Sequence, residues 1–222
     1  MYLEKSGSTG VFRQGRVYLN GHTLTISRNE SGAVCTMTES CQWHGGGTVV
    51  VDKVTFACAN GSYTIGSGSA PKFIFKNGAV FAPENVTACT VVKDMDFATG
   101  TQIAPSAATA LTFDNMIGIP TISANVSSLT INNLYTARVA DVLAGRCPTM
   151  NGALVFGSNA KWAVDNIGSL SRTEYTLWNA TGGVSGTVRK SEGADYKGWR
   201  SARGGNAFMI DGRIFGSTLH IF

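Results

Sequence analysis

Charge is scarce in this chain. Asp, Glu, Lys and Arg make up 14% of its 222 residues, against ~25% in an ordinary globular protein. That deficit argues against a coiled coil or helical bundle, which draws on Ala, Glu, Lys and Leu. Proline is sparse at 5 residues and histidine at 3. No apolar run approaches the ~18 residues of a membrane-crossing helix, so no membrane insertion is expected. The opening residues Met1 to Gly15 carry no apolar stretch behind their charges and read as neither a signal peptide nor a lipidation signal. Cysteines number five (Cys35, Cys41, Cys58, Cys89 and Cys147). An odd count predicts mostly reduced thiols made in a cytoplasm rather than a disulfide framework.

What is abundant is glycine, at 27 residues, and threonine, at 23, within a chain that is 43% hydrophobic. The apolar fraction is enough to build a core, which excludes a disordered chain. The glycines show no triplet period, which excludes collagen. The composition is that of a β-rich protein with many tight turns and a lightly charged surface.

One short pattern recurs. A few β-forming residues run into Asn, Asp, Lys or Gly: Val17-Tyr18-Leu19-Asn20-Gly21, Val49-Val50-Val51-Asp52-Lys53, Phe73-Ile74-Phe75-Lys76-Asn77, Thr90-Val91-Val92-Lys93-Asp94, Leu111-Thr112-Phe113-Asp114-Asn115 and Leu129-Thr130-Ile131-Asn132-Asn133. Leu154-Val155-Phe156-Gly157 and Thr176-Leu177-Trp178-Asn179 are weaker copies. From Val51 to Trp178 the copies recur about every 21 residues, the length of one coil in a stacked parallel β-helix. The expected fold is all-β: a short right-handed parallel β-helix of about eight coils with a small C-terminal β-cap. At ~4.8 Å per coil the rod would be roughly 35–40 Å long. An antiparallel β-sandwich or jelly roll stays open, because its hairpin strands, spaced ~8–12 residues apart, mimic the same period in pairs. In the stacked reading Asn20, Asp52, Lys76, Lys93, Asp114 and Asn132 share one turn column and can pair along it.

The organisation follows from this pattern: an N-terminal segment over 1–16, a repeat domain over 17–180 and a C-terminal cap or tip over 181–222. One helix is expected inside the repeat, between a Thr136 cap and Gly145, with Val139, Val142 and Leu143 on one side. The Gly-rich run Thr181–Gly186 reads as a break. Beyond it, Phe208-Met209-Ile210, Ile214-Phe215 and Leu219-His220-Ile221-Phe222 suit the strands of a cap over an open end.

Chemistry-bearing constellations are thin. Asp94 and Asp96 lie two apart on one strand face, and Asp52 and Asp114 share the proposed column. Glycan cleavage needs two carboxyls ~5–10 Å apart in a groove, and the spacing supplies no groove. Cys35, Cys41 and His44 lack the second ligand pair of a structural zinc site. His22 reads as a solvated turn residue, and His220 as part of the cap. Neither a nucleophile elbow nor a phosphate loop is present; Gly66-Ser67-Gly68-Ser69 is loop composition. The reading therefore assigns no catalytic residue, no metal and no cofactor.

The basic, aromatic tail is the binding candidate. Of the net charge of +4, +3 falls within residues 186–222, where six cations face three acids. Tyr196, Lys197, Trp199, Arg200 and Arg203 cluster among glycines, and aromatics with Arg suit an acidic glycan, a phosphorylated surface polymer or an acidic protein. The patch is short and the rest of the chain nearly neutral, which argues against nucleic acid.

The strand-and-turn repeat from Val17 to Asn179 resembles the β-helical parts of bacteriophage tail fibres, tailspikes and other virion appendages. The resemblance covers about three quarters of the chain. It implies homotrimers packed through flat β faces, assembly in the host cytoplasm without a signal peptide, and attachment to other virion proteins. It supplies no catalytic residue. Tailspike depolymerases that resemble this pattern have much longer helices, which weighs against the enzyme. The expected function is a non-enzymatic virion structural protein (tail fibre, spike or capsid-decorating element) whose tip contacts a host surface glycan. A glycan-cleaving tailspike-type enzyme and a receptor-binding module for an acidic surface polymer are the alternatives.

Overall fold

Short β-branched and aromatic runs put alternate side chains inward, and here the inward rows stack into a β-solenoid. The computed structural model describes residues 2–3, 9–12, 15–27, 34–37, 41–59, 63–65, 70–84 and 88–213. Its strands are numbered β1 to β24 in chain order. Three parallel ladders wrap the core.

The first ladder holds β2 (Thr9–Phe12), β5 (Val34–Met37), β8 (Thr55–Ala59), β11 (Val80–Glu84), β13 (Gln102–Ile103) and β15 (Thr121–Ile122). The second runs through β3 (Gly15–Tyr18) and β6 (Cys41–His44), then β9 (Tyr63–Ile65) and the first halves of β12 (Ala88–Phe97), β14 (Thr109–Gly118) and β16 (Val126–Ala137). It ends with β18 (Ala153–Phe156) and β21 (Val184–Gly186). The third holds β1 (Tyr2–Leu3), β4 (Thr23–Ser27), β7 (Thr48–Asp52), β10 (Lys72–Lys76), the second halves of the three long strands, β19 (Lys161–Val164) and β22 (Arg189–Lys190). On this ladder Thr25, Val50, Ile74, Asp96, Ile117 and Thr136 stand above one another, spaced 25, 24, 22, 21 and 19 residues apart.

Parallel pairing throughout the solenoid realises the β-helix and not the sandwich. The coil count is lower than expected. The first ladder has six strands, which makes about six complete turns instead of eight. After β16 the chain leaves the coil through helix α1 (Val139–Leu143). The next first-face segment, β17 (Thr149–Met150), then pairs with β20 (Glu174–Ala180). Strand β20 in turn pairs antiparallel with β24 (Ala207–Asp211), and β24 with β23 (Arg200–Gly204). This four-stranded sheet covers the C-terminal end. Trp178, expected as a last coil repeat, belongs to it.

The expected single turn column is two columns. Asn20, Lys93, Asp114 and Asn132 turn the chain from the second face to the third, whereas Asp52 and Lys76 turn it from the third to the first. The same residue types suit both corners, so local composition does not separate them. Pairing along each column does occur. Asn77 Nδ2 donates to Asp52 at 2.8 Å, Asn115 Nδ2 to Asp94 at 2.7 Å, and Asn132 Nδ2 to Asp114 at 3.3 Å.

The core is a column of large side chains. Trp43, Phe56, Phe73, Phe75, Phe81, Phe97 and Phe113 are all buried. Phe75 and Phe97, in register on adjacent coils, stack at 5.1 Å. Such ring pairs contribute about 0.5–1.5 kcal/mol beyond area burial.

Helix α1 starts later than expected. Thr136 lies in β16, and the cap position is Arg138, whose side chain makes no capping bond. Instead the Asp165 carboxylate, from the following coil, accepts the Val139 N–H at 2.7 Å. Gly145, with φ +68°, ends the helix as expected. Gly66–Ser69, Ile214–Phe215 and Leu219–Phe222, with His220, lie outside the described residues.

Candidate functional site

The C-terminal sheet brings together the residues expected to bind, but with different duties. Tyr196 ends a 3₁₀ turn, Ala194–Tyr196. Its hydroxyl donates to Val164 O at 2.9 Å and accepts from Val164 N at 3.1 Å. Its ring meets Trp162 edge-on at 5.7 Å. Tyr196 thus ties the tip to β19, and burial pushes its phenol up from the ordinary value.

Trp199 is 3% exposed. Arg172 lies over its ring at 5.2 Å and Tyr175 packs beside it at 6.2 Å. A Cβ on Gly212 would come within 2.9 Å of the indole. The protein's own chain therefore occupies the aromatic surfaces that the sequence pattern offers to a sugar or base.

The cations differ. Lys197 and Arg200 are exposed, as are Arg189, Lys190 and Arg172. Arg200 stands opposite Asp211 in the ladder. Arg213 chelates the Asp211 carboxylate at 2.9 and 3.0 Å, which holds that carboxyl below its usual range, with Arg200 adding to the effect. Arg203 lies opposite Phe208 in β23; its side chain is outside the described residues. Lys190 Nζ donates to the Tyr196 carbonyl at 3.1 Å, and Arg172 Nη1 to the Lys197 carbonyl at 2.8 Å.

Arg172 is the member that sequence reasoning missed, because it precedes the cluster that starts at Tyr196 by more than twenty residues and reaches it through the Trp199 ring and the Lys197 carbonyl. Lys161 binds Glu192 at 2.9 Å and holds its carboxyl low. The result is an exposed basic surface supported by buried aromatics.

The carboxylates considered for glycan chemistry sit apart from this end. Asp94 takes Asn115. Asp96 lies between Lys72, at 2.8 Å, and Arg138. Asp52 takes Lys76, at 3.4 Å, and Asn77, while Asp114 takes Asn132. Asp52 and Asp114 occupy different corners. His44 stacks on Tyr18 at 5.1 Å, and His22 is exposed at its corner. Among the described residues no group of three or more His, Cys, Asp or Glu could hold a metal. Burial pushes the Cys89 thiol up to about 12, which leaves it protonated and unreactive. No helix among the described residues is long and apolar enough to cross a membrane.

No family model, curated protein or solved structure matches this chain.

Proposed function

We propose that the protein is a non-enzymatic structural element of a virion appendage: a fibre, spike or capsid-decorating rod that self-associates as a trimer and is assembled in a host cytoplasm. Its basic end makes the contact with an acidic host surface glycan. The observation that carries this reading is a solenoid shaft whose outward acids at Asp52, Asp94, Asp96 and Asp114 are each engaged by a Lys, Arg or Asn of another coil. Charges used this way link coils. The virion setting rests on the resemblance of the repeat to phage appendages.

Native mass measurement and negative-stain imaging test the shaft reading. The expected result is a trimer of parallel rods; a stable monomer at micromolar concentration would overturn the self-association. Adhesion of the purified protein to host cells, with and without Lys197→Glu and Arg203→Glu, tests the tip. Attachment should fall in the charge-reversed protein, and unchanged attachment removes the tip from the proposal.

A further inference from the structure

One exposed cation at the basic end is held in a fixed pose. Arg172, just before β20, lies over the Trp199 ring at 5.2 Å and gives one Nη1 proton to the Lys197 carbonyl at 2.8 Å. Trp199 is itself locked: it is buried, Tyr175 packs beside it, and a Cβ on Gly212 would come within 2.9 Å of the indole. Gly198 has φ +82°, and a Cβ there would stand 3.3 Å from Arg172 Nη1. The guanidinium is thus seated by one face and one end. Its Nε and Nη2 protons take no partner among the described residues, and the side chain is open to solvent.

Two ammonium groups belong to the same stretch. Lys190, at the end of β22, gives one proton to the Tyr196 carbonyl at 3.1 Å and keeps two. Lys197 is exposed. The neighbouring acids do not cancel these charges. Glu192 is held by Lys161 at 2.9 Å, and Asp195, exposed in the 3₁₀ turn, stands alone against three cations. The carbonyls of this stretch differ. Tyr196 O is filled by the Trp199 N–H and by Lys190, both at 3.1 Å. Lys197 O takes Arg172 alone and keeps a second lone pair beside the guanidinium.

This donor and acceptor set selects a ligand. The Nε and Nη2 edge of an arginine matches two coplanar oxygens of one oxyanion. A pose fixed before binding lowers the ordering cost of that contact. The open lone pair on Lys197 O calls for a hydroxyl donor next to the oxyanion. An acidic sugar carries both groups on one ring, a two-oxygen carboxylate and adjacent hydroxyls. A phosphodiester turns only acceptors toward the site. Arg172 covers the Trp199 face, so the sugar is held by its polar edge and not by stacking.

We propose that Arg172, Lys190 and Lys197 form a subsite for a uronate residue of an acidic polysaccharide. Arg172 is the carboxylate fork, Lys197 O accepts a ring hydroxyl, and the two lysines attract the carboxylates of neighbouring residues. This subsite deepens the surface contact proposed above and rests on that reading.

Calorimetric titration of the intact protein with polygalacturonate tests the subsite, with polyglycerol phosphate as the phosphate arm and dextran as the neutral one. The native protein should bind polygalacturonate more tightly than polyglycerol phosphate at matched charge and should ignore dextran. Arg172→Lys keeps the charge and removes the fork, and should weaken polygalacturonate binding roughly tenfold. Equal or higher affinity for the phosphate polymer would reduce the surface to a charge patch and overturn the subsite. Unchanged binding in Arg172→Lys would do the same. If that variant does not fold, the native protein still decides the matter. Its Arg172 Nε–H resonance should shift when trigalacturonate is added, and an unshifted resonance sinks the proposal. Host-cell adhesion of the Lys197→Glu, Arg203→Glu protein separates this failure from that of the surface contact. Adhesion lost in that variant, alongside a native protein that does not bind polygalacturonate, rejects the uronate and keeps the tip. Adhesion unchanged in that variant rejects the tip, and with it the subsite as a surface contact.

Discussion

At Gly118 a single missing methyl group lets three coils be joined. Arg138 leaves the end of β16, passes over Gly118 on the coil below, and reaches Asp96 and the Phe97 carbonyl one coil further down. A Cβ at Gly118 would collide with both the Arg138 guanidinium and the Phe97 carbonyl, and the backbone there has φ +86°. Gly118→Ala therefore combines steric displacement with left-handed strain. It should cost about 3 kcal/mol, measured as a lower urea midpoint with an unchanged slope. The opposite case is Lys53, an exposed corner residue held at φ +60°. A non-glycine residue there costs ~1–2 kcal/mol, partly offset by the chain entropy glycine loses on folding. Lys53→Gly should raise stability by about 0.5–1 kcal/mol, read from the same titration. A loss of stability would show that Lys53 contributes more through its side chain than its backbone costs.

Among the elements, the strands were far more legible in the sequence than the corners. Inward residues such as Val49, Val51, Phe73 and Phe75 alternate with outward ones, and that period of two follows from strand geometry alone. The corner to which a turn belongs is invisible locally, since Asp52 and Asp114 sit in equivalent sequence surroundings on different edges. The helix start was displaced because its capping group, Asp165, comes 26 residues later. Asp165→Ala should cost about 1 kcal/mol, with faster amide exchange confined to Val139–Leu143. The cap sheet carries a pH signature. Arg213 holds the Asp211 carboxyl below its usual range, so this contribution is present above the unfolded-state value near ~3.9. It is lost as pH falls through the lower folded-state value. Thermal melts should therefore show a steeper acid decline for the native protein than for Asp211→Asn. Parallel curves would show that the pair contributes nothing.

For the whole molecule, the question is how a rod of nearly zero net charge presents one basic end. The sequence clusters aromatic and basic residues at that end and so points to a joint binding surface. The fold divides them: Trp199 is buried under Arg172, Tyr196 is bonded to Val164, and the exposed residues are cations. The basic and aromatic cluster could not reveal this by itself, because the guanidinium over Trp199 and the ring beside it belong to Arg172 and Tyr175, which precede the tail. The division makes the two classes of substitution separable. Trp199→Ala should destabilise the cap by about 3–5 kcal/mol and lose attachment only through unfolding. Arg189→Glu with Lys197→Glu should leave the melting temperature nearly unchanged, because both side chains are exposed. The same double variant should abolish adhesion to an anionic polymer, and the native protein's adhesion should weaken as salt rises past the point where the Debye length falls below ~10 Å. Arg200 is the poorer choice for this test, since reversing it also disturbs Asp211. Adhesion that survives the double variant, or that ignores salt, would separate the basic end from surface contact and leave the solenoid as a shaft alone.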